Sequence, residues 1–148
     1  MANNQKGISI MSVLVSISII TLMSMISIPY LGRYQTSLKL NGVSRNLTSD
    51  IRYAQQLTIT EQVAYKVQLD AITHKYEVIR TGVATSTIKS VYFPAEVRFS
   101  EISAAMDNEV IFNSFGGVYQ SGQIVLINTD GKLATINVKP SGYIQLTQ

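Results

Sequence analysis

The chain has 148 residues, with twelve Lys/Arg against nine Asp/Glu, one histidine and no cysteine. That length allows one domain with a modest core, and the lack of cysteine excludes disulfides and thiolate metal sites. Lys6 aside, eleven basic residues face nine acidic ones, the balance of a solvated surface and not of a nucleic-acid footprint.

In chain order the sequence divides into four expected segments: 1–7, 8–31, 32–61 and 62–148. The first, Met1-Ala2-Asn3-Asn4-Gln5-Lys6-Gly7, is a short basic leader ending on a glycine. The second carries no charge, with Lys6 and Arg33 on either side of it. As a helix it would extend roughly 36 Å, enough to cross the roughly 30 Å hydrocarbon core of a bilayer with some tilt. A protein this small has no interior to enclose such a helix, so the segment reads as one transmembrane span. It does not read as a signal peptide removed whole, because the apolar run is too long and Ser27-Ile28-Pro29 is a poor cleavage site. Lys6 favours a cytoplasmic N-terminus and an exported C-terminal bulk, a bias that Arg33 and Lys39 weaken.

Hydroxyls recur within the span. Ser9, Ser12, Ser16, Ser24 and Ser27 fall within roughly 120° of one another at helical spacing. We read them as a packing face, since small residues on one side let helices approach closely in lipid. The alternative is that each hydroxyl bonds back to a carbonyl one turn earlier.

Pro29 removes one backbone donor and is expected to kink the helix without ending it. Leu31, Tyr34 and Leu38 line one side of the next stretch. From Leu40 the apolar stripe moves nearly opposite, through Val43, Leu47, Ile51, Ala54 and Thr58, with Gly42 beside the switch. A helix whose apolar face changes sides needs two partners: neighbouring chains for the first part, its own globular domain for the second. After Glu61 the period falls to two. Strands are expected at 63–69, 76–80, 88–93, 96–100, 110–112, 123–127, 134–138 and 143–146. Asn128-Thr129-Asp130-Gly131 is the hairpin turn between the sixth and seventh, because Asp-Gly accepts positive φ. The expected fold is α+β, one long N-terminal helix packed on an antiparallel β-sheet domain.

Lys6-Gly7 before Ile8-Ser9-Ile10-Met11 resembles the class III signal peptide of type IV pilins and type II secretion pseudopilins. Pro29, the twenty-second residue after that glycine, stands where these proteins commonly carry a proline. The resemblance extends to the minor pseudopilins of the GspH/FimT-like group. It rests there on Leu47-Thr48-Ser49-Asp50-Ile51-Arg52-Tyr53-Ala54-Gln55-Gln56-Leu57, on Phe112-Asn113-Ser114-Phe115-Gly116-Gly117 with Ser121-Gly122-Gln123-Ile124-Val125-Leu126, and on Ile136-Asn137-Val138 with Ser141-Gly142-Tyr143-Ile144. It implies a pilin-like fold, cleavage by prepilin peptidase between Gly7 and Ile8, and N-methylation of Ile8. It further implies an inner-membrane assembly platform and other pilins or pseudopilins as partners, and a domain carried outside the bacterial inner membrane as part of a filament. The sequence departs from the group at Ser12, the fifth residue after the cut, where most members have a glutamate. A hydroxyl offers a hydrogen bond but no charge for a neighbour's ammonium, which points to a minor subunit.

No catalytic constellation, cofactor motif or metal-ligand set is expected. His74 is the lone histidine and reads as a surface turn residue. Asp107-Asn108-Glu109 reads as a solvated loop and not a hard-cation site, and Gly116-Gly117 as a turn or bulge. The serines have no base partner for nucleophilic chemistry. The expected role is therefore structural: a minor pseudopilin or minor pilin that helps initiate or cap a filament. The alternative is a DNA-binding minor pilin of an uptake pilus. Nucleic acid is not the expected partner, because residues 143–148 carry no positive charge where the DNA-binding members are basic.

Overall fold

The computed structural model describes residues 9–82 and 85–148, and all their side chains except those of residues 28–31. Its elements are α1 (Ile10–Glu61), β1 (Tyr65–Asp70), β2 (Lys75–Arg80), β3 (Ser86–Tyr92), β4 (Val97–Ile102), a 3-10 turn (Ala104–Met106), β5 (Glu109–Ile111), β6 (Gly122–Asn128), β7 (Leu133–Val138) and β8 (Ile144–Thr147). The chain forms two units, Met1–Gln35 and Thr36–Gln148, and α1 contributes to both.

In the first unit α1 has no buried residue from Ile10 to Ser27. Five of its hydroxyls are satisfied by the helix itself. Ser16, Ser18, Thr21, Ser24 and Ser27 each donate to the carbonyl four residues earlier, at 2.8–2.9 Å. A side chain that returns its proton to the backbone brings no unpaired donor into an apolar medium.

In the second unit α1 buries one stripe. Leu40, Leu47, Ile51, Ala54 and Thr58 are at most 2% exposed, with Ser44 and Thr48 beside them and Val43 packed at the margin. This is the stripe expected from the period of the sequence. The helix ends after Glu61, where Gln62 adopts φ 54°. The left-handed turn is made without a glycine, and the Gln62 amide donates to the Ile59 carbonyl at 2.7 Å, satisfying one of the terminal acceptors.

The eight expected strands all form, within about two residues of their expected bounds, and all pair antiparallel. They divide into two four-stranded sheets, ordered β3-β2-β1-β5 and β4-β6-β7-β8. Alternation in β1, β2, β6 and β7 turns Tyr65, Val67, Leu69, Tyr76, Val78, Ile124, Leu126, Ala134, Ile136 and Val138 into one shared core beneath the helix stripe. The β6–β7 turn is built on Asn128, whose side-chain oxygen accepts from the amides of Asp130 and Lys132, with Gly131 at φ 81°. The β1–β2 turn is built the same way on Asp70, which accepts from Ile72 and Thr73.

His74 closes that turn at φ 49° and is half-buried, so it is less of a surface residue than expected: its carbonyl accepts the Phe93 amide and ties the turn to the end of β3. Asp107 and Asn108 are exposed and both left-handed, so this segment is a turn leading into β5, where Glu109 pairs with Lys66 at 2.8 Å.

Candidate assembly surfaces

Leader residues Gly7 and Ile8 lie outside the described residues, as do the side chains of Pro29 and Leu31; α1 is continuous through residue 29. Ser9 precedes the first helical turn, and its carbonyl accepts the amides of Ser12 and Val13. Ser12 is exposed, and its carbonyl accepts the Ser16 hydroxyl. No Asp, Glu, Lys, Arg or His stands between Ser9 and Gly32, so this stretch of the chain carries no charge. Tyr34, in the first unit, is 64% exposed; Leu38, in the second, is 49% exposed.

The second unit has two differently built ends. Near the start of its helix lie charged and polar contacts. The Lys39 ammonium donates to Glu96 at 2.6 Å, Lys132 donates to the Ser37 hydroxyl, and the Thr36 hydroxyl bonds Asp130. The Lys39 hydrogen bond holds the Glu96 carboxyl below its usual range. At the other end two loops meet the last turns of α1. The Gln55 side-chain amide donates to the carbonyls of Gly116 at 2.6 Å and Gly142 at 3.0 Å. These glycines are obligatory: both have positive φ, and a Cβ on Gly142 would lie 1.9 Å from the Gly116 oxygen. Beside them Phe115 is 96% exposed, with Ile59 and Tyr143 half-exposed.

About one turn earlier in the helix, the Arg52 guanidinium donates to the Ile144 carbonyl at 2.9 Å. A hollow of about 450 Å³ opens here, with Arg52, Gln56, Ile59, Tyr143 and Ile144 in its wall. The sequence pattern does not show the Gln55 and Arg52 contacts. Their partners lie 61 to 92 residues away, and neither side chain belongs to the buried stripe. The one signal was the placing of glycines at 116 and 142. Among the described residues no three His, Asp or Glu side chains converge as a metal site would require.

No protein-family model matches the sequence, and no curated protein matches it. Solved structures do match the fold. The minor pseudopilin EpsH from the type 2 secretion system of Vibrio cholerae aligns at a TM-score of 0.62 and 9% identity, over 74% of this chain and 96% of that one. The type IV minor pilin FimU of Pseudomonas aeruginosa aligns at 0.63 and 17% identity, over 78% of this chain and 92% of that one. At such identities the likeness is one of architecture: a long N-terminal helix on antiparallel sheets. This chain has the pilin-like fold found in those minor pilins and minor pseudopilins.

Proposed function

We propose that the chain is a minor pilin or minor pseudopilin, a structural subunit that helps initiate or cap a filament and catalyses no reaction. The observation that carries this reading is the change of character along α1. Ile10 to Ser27 is exposed and uncharged, whereas the same helix from Leu40 to Thr58 buries a stripe against its own sheets. A lipid bilayer, and then the helices of neighbouring subunits, are the surroundings in which the first stretch is stable.

In this reading prepilin peptidase cuts between Gly7 and Ile8, Ile8 is N-methylated, and the helix stays anchored in the bacterial inner membrane. The domain stands on the outer side until an assembly platform adds the subunit to a filament. Pro29 bends the helix, and the face of Ser9, Ser12, Ser16, Ser24 and Ser27 packs on other pilins. The back-bonded hydroxyls of Ser16, Ser24 and Ser27 suit that face, because they leave a low, internally satisfied surface for a second helix. Leu31, Tyr34 and Leu38 extend the contact. With Ser12 in place of a carboxylate, docking lacks an ion pair that a chain of identical subunits would use repeatedly, so few copies are incorporated. Quantitative mass spectrometry of sheared filaments tests this. The chain is expected at a small fraction of the main subunit. Its dominance would contradict the minor role, and its absence from filaments would contradict the whole reading.

A further inference from the structure

We propose that the seam between α1 and the free edge of β8 is a docking groove for an extended, acidic segment of a partner chain, which adds to β8 as a further strand. The inference stands on the second unit alone and goes beyond the filament role, since it assigns a surface and the chemistry of what fits it.

β8 is the outer strand of its sheet, paired on one side with β7. The Lys139 amide donates to the Tyr143 carbonyl. Alternation along an antiparallel ladder then turns the backbone groups of Gln145 and Thr147 toward β7, and those of Ile144 and Leu146 away from it. The Arg52 guanidinium meets the Ile144 carbonyl on that outer side. Two hollows open along the seam and share Arg52. The larger has Ile144 in its wall; the smaller, about 260 Å³, is lined by Arg45, Thr48, Ser49, Arg52 and Leu146. The Ile144 carbonyl is thus already engaged, and the Ile144 amide with both backbone groups of Leu146 forms the part of the edge that strand addition can use: main-chain bonds give affinity, and the flanking wall gives selectivity.

The charge of the wall identifies the occupant. The ion pairs among the described residues engage Asp50, Glu61, Glu77, Glu96 and Glu109, and none includes Arg45 or Arg52. Neither hollow has an acidic side chain in its wall. Arg45 and Arg52 lie seven positions apart, about 10.5 Å along the helix. Two carboxylates on one face of a strand, four residues apart, are separated by about 13 Å, a spacing that two flexible guanidinium side chains span. A nucleic acid fits less well. Two cations neutralise few phosphates, and an outward Leu146 carbonyl accepts a peptide N–H but repels a phosphate.

The test uses the full chain in detergent micelles and a fluorescein-labelled eight-residue peptide of alternating threonine and valine, with glutamates at its third and seventh positions. A counterpart with lysines there is the control. The glutamate peptide is expected to bind about tenfold more tightly than the lysine peptide. It should shift the Leu146 amide resonance while leaving those of β3 in place, and lose about tenfold in affinity in Arg45→Glu, a substitution at an exposed side chain with no ion-pair partner among the described residues. Equal binding of the two peptides, no binding of either, unchanged affinity in Arg45→Glu, or displacement of the peptide by a short DNA duplex would each overturn the proposal, the last in favour of nucleic acid.

Discussion

The Tyr76 hydroxyl donates to the Asp50 carboxylate at 2.6 Å, joining β2 to the buried face of α1. Lys89 of β3 reaches the same carboxylate through both oxygens at 2.7 Å. The two partners are not equivalent. Tyr76 is 1% exposed, whereas the Lys89 side chain is about half exposed and screened by solvent. Tyr76→Phe is expected to cost about 1.5–3 kcal/mol, the range for a hydrogen bond to a charged group. Lys89→Met should cost no more than about 1 kcal/mol. Urea unfolding of the full chain in micelles, followed by near-ultraviolet circular dichroism, ranks the two. A larger loss for Lys89→Met would reverse the assignment.

The same pair sets an alkaline limit. Burial and the neighbouring carboxylate raise the Tyr76 phenol above its usual 10.0, and the Glu61 hydrogen bond raises Tyr65 likewise. In the unfolded chain both phenols ionise from about pH 10, while in the fold they stay protonated. Stability is therefore complete below pH 10 and lost as pH rises toward the folded values. Thermal melts between pH 8 and 11 should show that loss, and Tyr76→Phe should reduce its slope. A slope unchanged in the variant would remove Tyr76 as its source.

At the acid end the sign is opposite. Hydrogen bonds from Thr73, Lys75 and Lys39 lower the carboxyls of Asp70, Glu77 and Glu96 respectively. Their contribution is present above the usual values of 3.8 and 4.5 and is lost as pH falls through the lower folded ones. Melting temperature should drop on acidification below pH 4.5, less steeply in Glu96→Gln. Equal steepness would show that the Lys39–Glu96 pair contributes nothing.

Two glycines should respond oppositely to alanine. Gly142 has φ 77° and faces the Gly116 carbonyl, so Gly142→Ala combines left-handed strain with overpacking and should cost about 2–4 kcal/mol. Gly42 lies mid-helix with open space around its Cβ position, so Gly42→Ala should stabilise by about 0.5–1 kcal/mol. Denaturation midpoints of the two variants decide this, and a neutral Gly142→Ala would mean the two loops have room to part.

Much of this architecture was legible because it follows from periodicity. The stripe from Leu40 to Thr58 marked the buried helix face, alternation marked β1 and β2, and Asn128 to Gly131 marked a turn. Division into two sheets was not legible, since a period of two says which face a residue takes and not which strand lies beside it. β5 leaves the local order to pair with β1, as Val110 does with Val67, and only tertiary packing selects that pairing. The α1–β8 seam was hidden for a related reason. Arg45 and Arg52 look like any solvated arginines until Ile144 and Leu146 are placed beside them. The serines of the apolar stretch read first as a packing face, with back-bonding as the alternative; back-bonding occurs, and at Ser18 and Thr21 on other sides of the helix too.

Whether the subunit keeps its apolar helix for assembly is decided by intact-mass analysis of the protein recovered from bacterial membranes. The mature chain is expected to begin at Ile8, carry one methyl group and keep the apolar helix from Ile8 onward. A mature chain lacking residues 8–31 would contradict that expectation, because the exposed stretch would then be a discarded export signal and not the stem of a filament subunit.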